Sequence, residues 1–274
     1  MIPILFEFGP IKIYSFGLMM GIAFLTANYF FTKEIKRKTI NETVASGVVM
    51  ISLIGGIAGS KLFSLLENWH SFIEDPIGEI FSPAGLTFYG GLIVASLSIL
   101  IYLKIKKVSF LKIADSAAPS LIIGYGIGRI GCQLAGDGDY GIPTTLPWAM
   151  SYAKGTVPTL AAQNSGLVEK FKLLYPGKEI PTDILVHPAP IYETLMALII
   201  FYILWKLRLK PWVTGKLFAI YLIFAGIERL CIEFIRLNEL YKGLSQAQWI
   251  SVGMITCGCI MIFVTKNNNS NSTA

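Results

Sequence analysis

Seven ionisable side chains sit inside apolar runs of this chain: Lys61, Arg129, Glu193, Glu228, Arg229, Glu233 and Arg236. A charge at the centre of a bilayer costs about 2.5–3.5 kcal/mol on insertion scales, so each must face a protein interior, a watery cavity or the head groups. Arg229, Glu233 and Arg236 follow at i, i+4 and i+7, which puts them on one helical face. Two chemistries fit that spacing. One is a structural stripe of ion pairs that locks a helix to its neighbour. The other is an anion site, in which Glu233 holds the arginines while Arg229 and Arg129 meet a phosphate from two helices. Arginine suits the second, because its planar fork binds phosphate bidentately and stays charged. Glu193 and Arg236 lie nearest the ends of their runs, where snorkelling toward the interface is open to them.

Arg129 belongs to "GRIGCQLAGDGDYG", residues 128–141, a glycine-rich tract closing a long apolar run. Its glycines let backbone N–H groups approach a ligand. Asp137 and Asp139 are placed to orient the arginine or to accept from hydroxyls. The tract is neither a P-loop nor a dinucleotide fingerprint, since no Gly-Lys-Ser/Thr follows it and no strand precedes it. A plain turn with incidental charges is the competing reading. A second constellation is "VHPAPIYE", 186–193. There His187 has the right chemistry for a proton acceptor near neutral pH, or is simply solvated, and two prolines favour an extended lead into the next run. The four cysteines, Cys132, Cys231, Cys257 and Cys259, show no zinc spacing. With no metal site and no nucleotide motif, no cofactor is expected.

The elements that must position these groups are apolar stretches at about 14–32, 45–66, 86–103, 111–134, 190–207, 215–236 and 247–265. A membrane-spanning helix needs about 20 residues, so each qualifies. The chain is 54% hydrophobic and only 15% charged, with mean hydropathy +0.61. The fold expected is an all-α integral membrane protein of seven transmembrane helices. Lys and Arg cluster in the first, third and fifth connections, whereas the second, "NWHSFIEDPIGEIFSPAG", has none. The positive-inside rule then puts the N-terminus outside and the C-terminus in the cytoplasm. The net charge of +6 reads as topology rather than as a nucleic-acid surface. "MIPILFEFGP" lacks the basic region and cleavage site of a signal peptide, so the first run is expected to stay.

A single membrane domain is expected over 1–266, with a sizeable external loop at about 135–189 between spans four and five. The Pro, Gly and Trp content of that loop suggests ordered structure. The polar tail 267–274 reads as a disordered cytoplasmic segment. Gly55 and Gly59, Gly56 and Ser60, and Gly124 and Gly128 are spaced four apart, as in close helix contacts within lipid.

Taken in order, the motifs resemble those of the prolipoprotein diacylglyceryl transferase family. The tract 128–141 is similar to the family signature, which begins Gly-Arg-x-Gly. "YSFGLMMG" (14–21), "GSKLF" (59–63), "TFYGGLI" (87–93), "DSAAP" (115–119), "HPAPIYE" (187–193) and "ERLCIEFIR" (228–236) also fall in family order, across roughly residues 10–265. The resemblance implies an enzyme of the bacterial cytoplasmic (inner) membrane with its site toward the outer leaflet. It implies transfer of the diacylglyceryl group of phosphatidylglycerol to the thiol of a lipobox cysteine in a prolipoprotein signal peptide, leaving a thioether and glycerol phosphate. It implies that Arg129 binds the head group and that Arg229 holds phosphate and steadies the leaving group, with Glu233 and Arg236 in support. The matching positions Gly136, Asp137, Lys61 and His187 join the substrate-binding set, and Tyr89 joins the catalytic one.

Tyr89 stands where the family commonly has histidine before Gly-Gly. Phe16, Cys132, Ala135, Asp137 and Ala225 stand where it usually has tyrosine, two asparagines, glutamate and tyrosine. A phenol with a reference pKa of about 10 is a poor base at neutral pH, so Tyr89 is expected to orient substrate. Three other functions fit buried charges on glycine-rich helices: a lipid or solute transporter, a structural membrane subunit whose charges only pair helices, and a transferase using another phospholipid. No inverted repeat or matched pair of broken helices favours transport.

Overall fold

The apolar runs fold as helices. In the computed structural model, which describes residues 1–9, 11–82, 87–238, 240, 241 and 243–270, the long helices are α1 (Ser15–Arg37), α2 (Glu42–Glu67), α5 (Phe88–Ile105), α6 (Phe110–Ala135), α8 (Ala189–Leu207), α9 (Lys216–Glu233) and α10 (Gln246–Ser270). Shorter helices α3 (Trp69–Glu74) and α4 (Pro76–Phe81) follow α2, and α7 (Ser165–Leu174) lies between α6 and α8. Among the described residues, four helices are long and apolar enough to cross a membrane by length and composition: Ser15–Arg37, Glu42–Glu67, Ala189–Leu207 and the Gln246–Val264 part of α10. Tyr89–Ile105 is a shorter apolar helix. The protein is thus mostly helical with a strongly apolar helix set. Helices α6 and α9, which carry Arg129 and Arg229, fall outside that set.

The all-helical expectation misses two short hairpins. Strands β1 (Ile4–Phe8) and β2 (Ile11–Tyr14) pair antiparallel at the N-terminus, with Glu7 opposite Lys12 and ion-paired to it at 2.8 Å. Strands β3 (Leu240–Tyr241) and β4 (Leu244–Ser245) pair just before α10. Both hairpins are shorter than an apolar run can signal, and hydropathy alone does not separate them from helix ends. The tail expected over 267–274 begins on the last turn of α10, and 271–274 lie outside the described residues.

The chain divides into two compact units. In the unit Thr32–Ser116, α2 and α5 cross so closely that glycine is required at the contact. A Cβ on Gly59 would stand 2.5 Å from the Gly90 carbonyl oxygen, and one on Gly91 2.7 Å from that of Gly56. The small-residue spacing read in the sequence is here a helix-packing device. Lys61 on α2 donates to the Ser82 carbonyl at 3.0 Å, and Tyr89 sits half-buried in the first turn of α5.

The other unit, Met1–Phe31 with Ala117–Ala274, holds the remaining ionisable residues. Its helical core is Ala118 and Ile122 of α6, Ala197, Ile200 and Leu204 of α8, and Leu217 of α9. Residues 136–188 fold over a second small core of Tyr140, Tyr152, Leu167, Phe171, Ile184 and Val186. Isolated bridges Pro143–Val186, Met150–Val186 and Leu160–Asp183 tie its strands of chain together. Asp183 accepts from Thr159 at 2.6 Å and from Ser151, so the ordered loop anticipated from its composition has a polar centre as well as an apolar one.

Candidate functional site

Three arginines from two chain segments converge on one carboxylate. Glu193, in the first two turns of α8, is 0% exposed. Its Oε1 lies 3.3 Å from Arg129 Nε, 3.2 Å from Arg229 Nη1 and 3.8 Å from Arg236 Nη1. Tyr125 donates to the same oxygen at 2.9 Å. A single buried oxygen is therefore the meeting point of α6, α8 and the end of α9. The geometry follows from helical spacing. Tyr125 and Arg129 are four apart on α6, and the guanidinium lies over the phenol ring, 5.0 Å from its centroid. Arg229 and Glu233 are four apart on α9 and pair at 3.0 Å.

Two further carboxylates complete the cluster. Asp139 is ion-paired on one oxygen to Arg129 and on the other to Arg236. Glu233 accepts from Asn238 at 2.6 Å on the oxygen that Arg229 leaves free. Three guanidinium groups thus face three carboxylates, and no excess charge is buried among these six. Burial by itself pushes the Asp139 carboxyl up; the Arg236 and Arg129 charges outweigh it and hold it below the usual carboxylate range. Its neighbour Asp137 lacks a cation partner among the described residues. Burial, with the Asp139 charge behind it, moves that carboxyl above its usual range.

The arginines remain reachable. Arg129 and Arg229 keep 17% and 22% side-chain exposure, while Arg236 keeps 9%. Of the two residues given the freedom to snorkel, neither does. Glu193 and Arg236 both turn inward, because the partner charges on α6 and in the 136–141 turn are inside.

The turn itself is set by glycine. Gly136 has φ +60°, and a Cβ there would stand 2.7 Å from Gly155 Cα, so the chain can reverse after α6 and present Asp137 and Asp139. Gly141 lets two segments meet: its N–H donates to the His187 carbonyl at 2.8 Å, and a Cβ would lie 2.6 Å from the Ile235 carbonyl oxygen. A bridge between Gly141 and Arg236 pins the last arginine in place. His187 takes part through its backbone, and its ring faces Tyr192, Nδ1 to Oη 3.3 Å. Trp148 Nε1 donates to the same hydroxyl at 2.7 Å. Partial burial lowers the His187 pKa by disfavouring the charged ring.

Of the residues singled out from the sequence, Arg129, Arg229, Glu233 and Arg236 meet in one cluster, with Gly136 and Asp137 in the adjoining turn and His187 one backbone hydrogen bond from Gly141. Lys61 and Tyr89 belong to the unit Thr32–Ser116. Sequence reasoning missed Tyr125, whose signal was its i, i+4 relation to Arg129. It also gave Glu193 no role, although an acid one turn into an apolar helix was a visible clue. Cys132 Sγ and one oxygen each of Asp137 and Asp139 lie within 4.8 Å of one another. Such a donor set suits a cation poorly here, because both Asp139 oxygens already accept from guanidinium groups.

What the arrangement can do is bind an anion. A phosphate entering between Arg129 and Arg229 would exchange one oxyanion partner for another, and the guanidinium forks are already oriented for it. Residues 3–264 match the family model described as prolipoprotein diacylglyceryl transferase. A protein of Clostridium tetani (strain Massachusetts / E88), named phosphatidylglycerol–prolipoprotein diacylglyceryl transferase, is 33% identical over 271 residues, 96% of this chain and 98% of that one. Proteins of the same name from Trichormus variabilis (31% identical, 93% of this chain and 86% of that one) and Leptospira interrogans serovar copenhageni (27%, 94% and 92%) are similar along nearly their whole lengths. The arginine cluster therefore sits in a chain that belongs to the prolipoprotein diacylglyceryl transferase family.

Proposed function

We propose that this protein moves the diacylglyceryl group of phosphatidylglycerol onto the thiol of a lipobox cysteine in a prolipoprotein, the first lipidation step of bacterial lipoprotein maturation. The observation that carries this reading is the convergence of Arg129, Arg229 and Arg236 on Glu193 Oε1, in a chain of this family. The cysteine thiol gives up its proton, which ends on the released phosphate monoester or in water, and the sulfur attacks the glyceryl carbon to form a C–S bond. The C–O bond to the phosphate breaks, its electron pair stays on the phosphate oxygen, and glycerol phosphate leaves. Negative charge grows on that oxygen as the bond breaks. Preorganised guanidinium donors beside it stabilise the transition state more than the ground state, and each such donor is worth about 10²–10³ in rate.

Arg129 and Arg229 are assigned to the phosphate because they retain solvent access. Arg236 and Glu233 hold them in register, Gly136 and Asp137 shape the adjoining turn, and His187 supports it through the backbone. Tyr89 and Lys61 are assigned to substrate orientation on family resemblance. A guanidinium group beside the incoming cysteine also favours its thiolate. We infer seven membrane spans within residues 1–266, the N-terminus and the 135–189 segment outside, and the site open to the outer leaflet of the cytoplasmic membrane. The clustering of Lys and Arg in alternate connections supports that orientation.

The test gives the purified protein phosphatidylglycerol and a lipobox peptide and follows the cysteine by mass spectrometry. Addition of one diacylglyceryl group with release of glycerol phosphate is expected. A peptide that stays unmodified under conditions where the Clostridium tetani relative modifies it would reject the reading.

A further inference from the structure

One buried carboxyl lies beside the site without taking part in its ion pairs. Glu228 precedes Arg229 on α9, is 2% exposed, and makes no ion pair among the described residues. One of its oxygens, Oε1, lies 3.2 Å from Tyr125 Oη. The same Oη lies 2.9 Å from Glu193 Oε1. A phenol has one hydrogen to donate. Between two ionised carboxylates it could satisfy only one, and the other would face an oxygen lone pair. Glu193 has guanidinium groups to keep it ionised. Glu228 is almost wholly buried and has no ion-pair partner among the described residues, and an ionised carboxyl so placed is strongly disfavoured. A second proton therefore belongs in the triad, on Glu228.

We propose that Glu228 is held as the neutral carboxylic acid, donating to Tyr125, which donates in turn to Glu193, so that the three form a directed chain that fixes the counter-ion of the arginine cluster. Charge counting agrees. Arg129, Arg229 and Arg236 are matched by Asp139, Glu193 and Glu233. An ionised Glu228 would add a surplus negative charge where an anionic head group has to enter. The neutral acid avoids that repulsion and still supplies a donor. Tyr125 and Glu228 are positioning residues that act through Glu193. Without the phenol, Glu193 relies on the guanidinium groups alone, and a phosphate displaces it less readily. This last consequence rests on the lipid-transfer reading; the location of the proton does not.

The experiment is infrared difference spectroscopy of the purified protein in a detergent free of ester groups. Glu228→Gln should remove one protonated-carboxyl C=O band. Tyr125→Phe, which keeps the acid but deletes its acceptor, should move that band to higher frequency. Loss of only carboxylate stretches in Glu228→Gln would overturn the proposal, as would an unmoved band in Tyr125→Phe. In turnover, Tyr125→Phe should raise KM for phosphatidylglycerol by about tenfold, the scale of one charge-assisted hydrogen bond, with a smaller change in kcat. A fall in kcat at constant KM would contradict the positioning role. The infrared result needs no turnover, so it stands whether or not the protein proves to be a transferase.

Discussion

Glu193 is a resting counter-ion for three arginines, and the consequences are specific to single residues. Glu193→Gln would leave Arg129, Arg229 and Arg236 with two carboxylates instead of three. Breaking a buried pair from one side costs about 3–5 kcal/mol. Thermal unfolding in detergent should therefore show a clear loss of stability, and an unchanged midpoint would mean the arginines find compensation elsewhere. Arg129→Lys keeps the charge but loses the fork and the stacking over Tyr125, so turnover should fall by about 10²-fold or more while insertion continues. Asp139 gives a pH signature. Its folded pKa lies below the unfolded value, so its stabilisation is complete above the unfolded pKa and disappears as pH falls through the folded one. The stability gap between wild type and Asp139→Asn should hold at neutral pH and close below about pH 4; a gap that ignores pH would contradict the ion pairs.

At the scale of elements, what was legible were the features with a period. Each long helix lies where an apolar run predicted it, because a run of that length has few other solutions in lipid. The i, i+4, i+7 stripe on α9 was readable for the same reason. Of the stripe's two chemistries, the pairing is what the structure shows: Arg229 pairs with Glu233 along its own helix and with Glu193 across to α8, and anion binding by the same guanidinium is the proposal. The hub itself was not readable, since no local rule says that α6, α8 and α9 meet at Glu193. Nor were the hairpins, which are too short to have a pattern. Gly141 tests how the elements hold the site. Gly141→Ala sets a Cβ 2.6 Å from the Ile235 carbonyl oxygen, forcing apart the bridge that seats Arg236. Overpacking of this kind costs about 1–3 kcal/mol, and activity should drop further than the melting temperature alone explains. Wild-type turnover in Gly141→Ala would show that the bridge does not position the arginine.

For the whole molecule, the proposed orientation puts the 135–189 segment outside and the lysine-rich third connection in the cytoplasm. In intact cells an impermeant maleimide should label Lys154→Cys and leave Lys106→Cys untouched until the membrane is opened, with the four native cysteines replaced in both; the reverse pattern would invert the topology. The proposed chemistry needs guanidinium groups that exchange an internal carboxylate for a lipid phosphate. The most direct measurement is the binding of phosphatidylglycerol to purified wild type and to Arg129→Ala and Arg229→Ala, each shown to be folded. Saturable binding by wild type is expected, weakened at least about tenfold by either substitution, as for loss of a charge-assisted contact to phosphate. Equal affinity in all three proteins would contradict it.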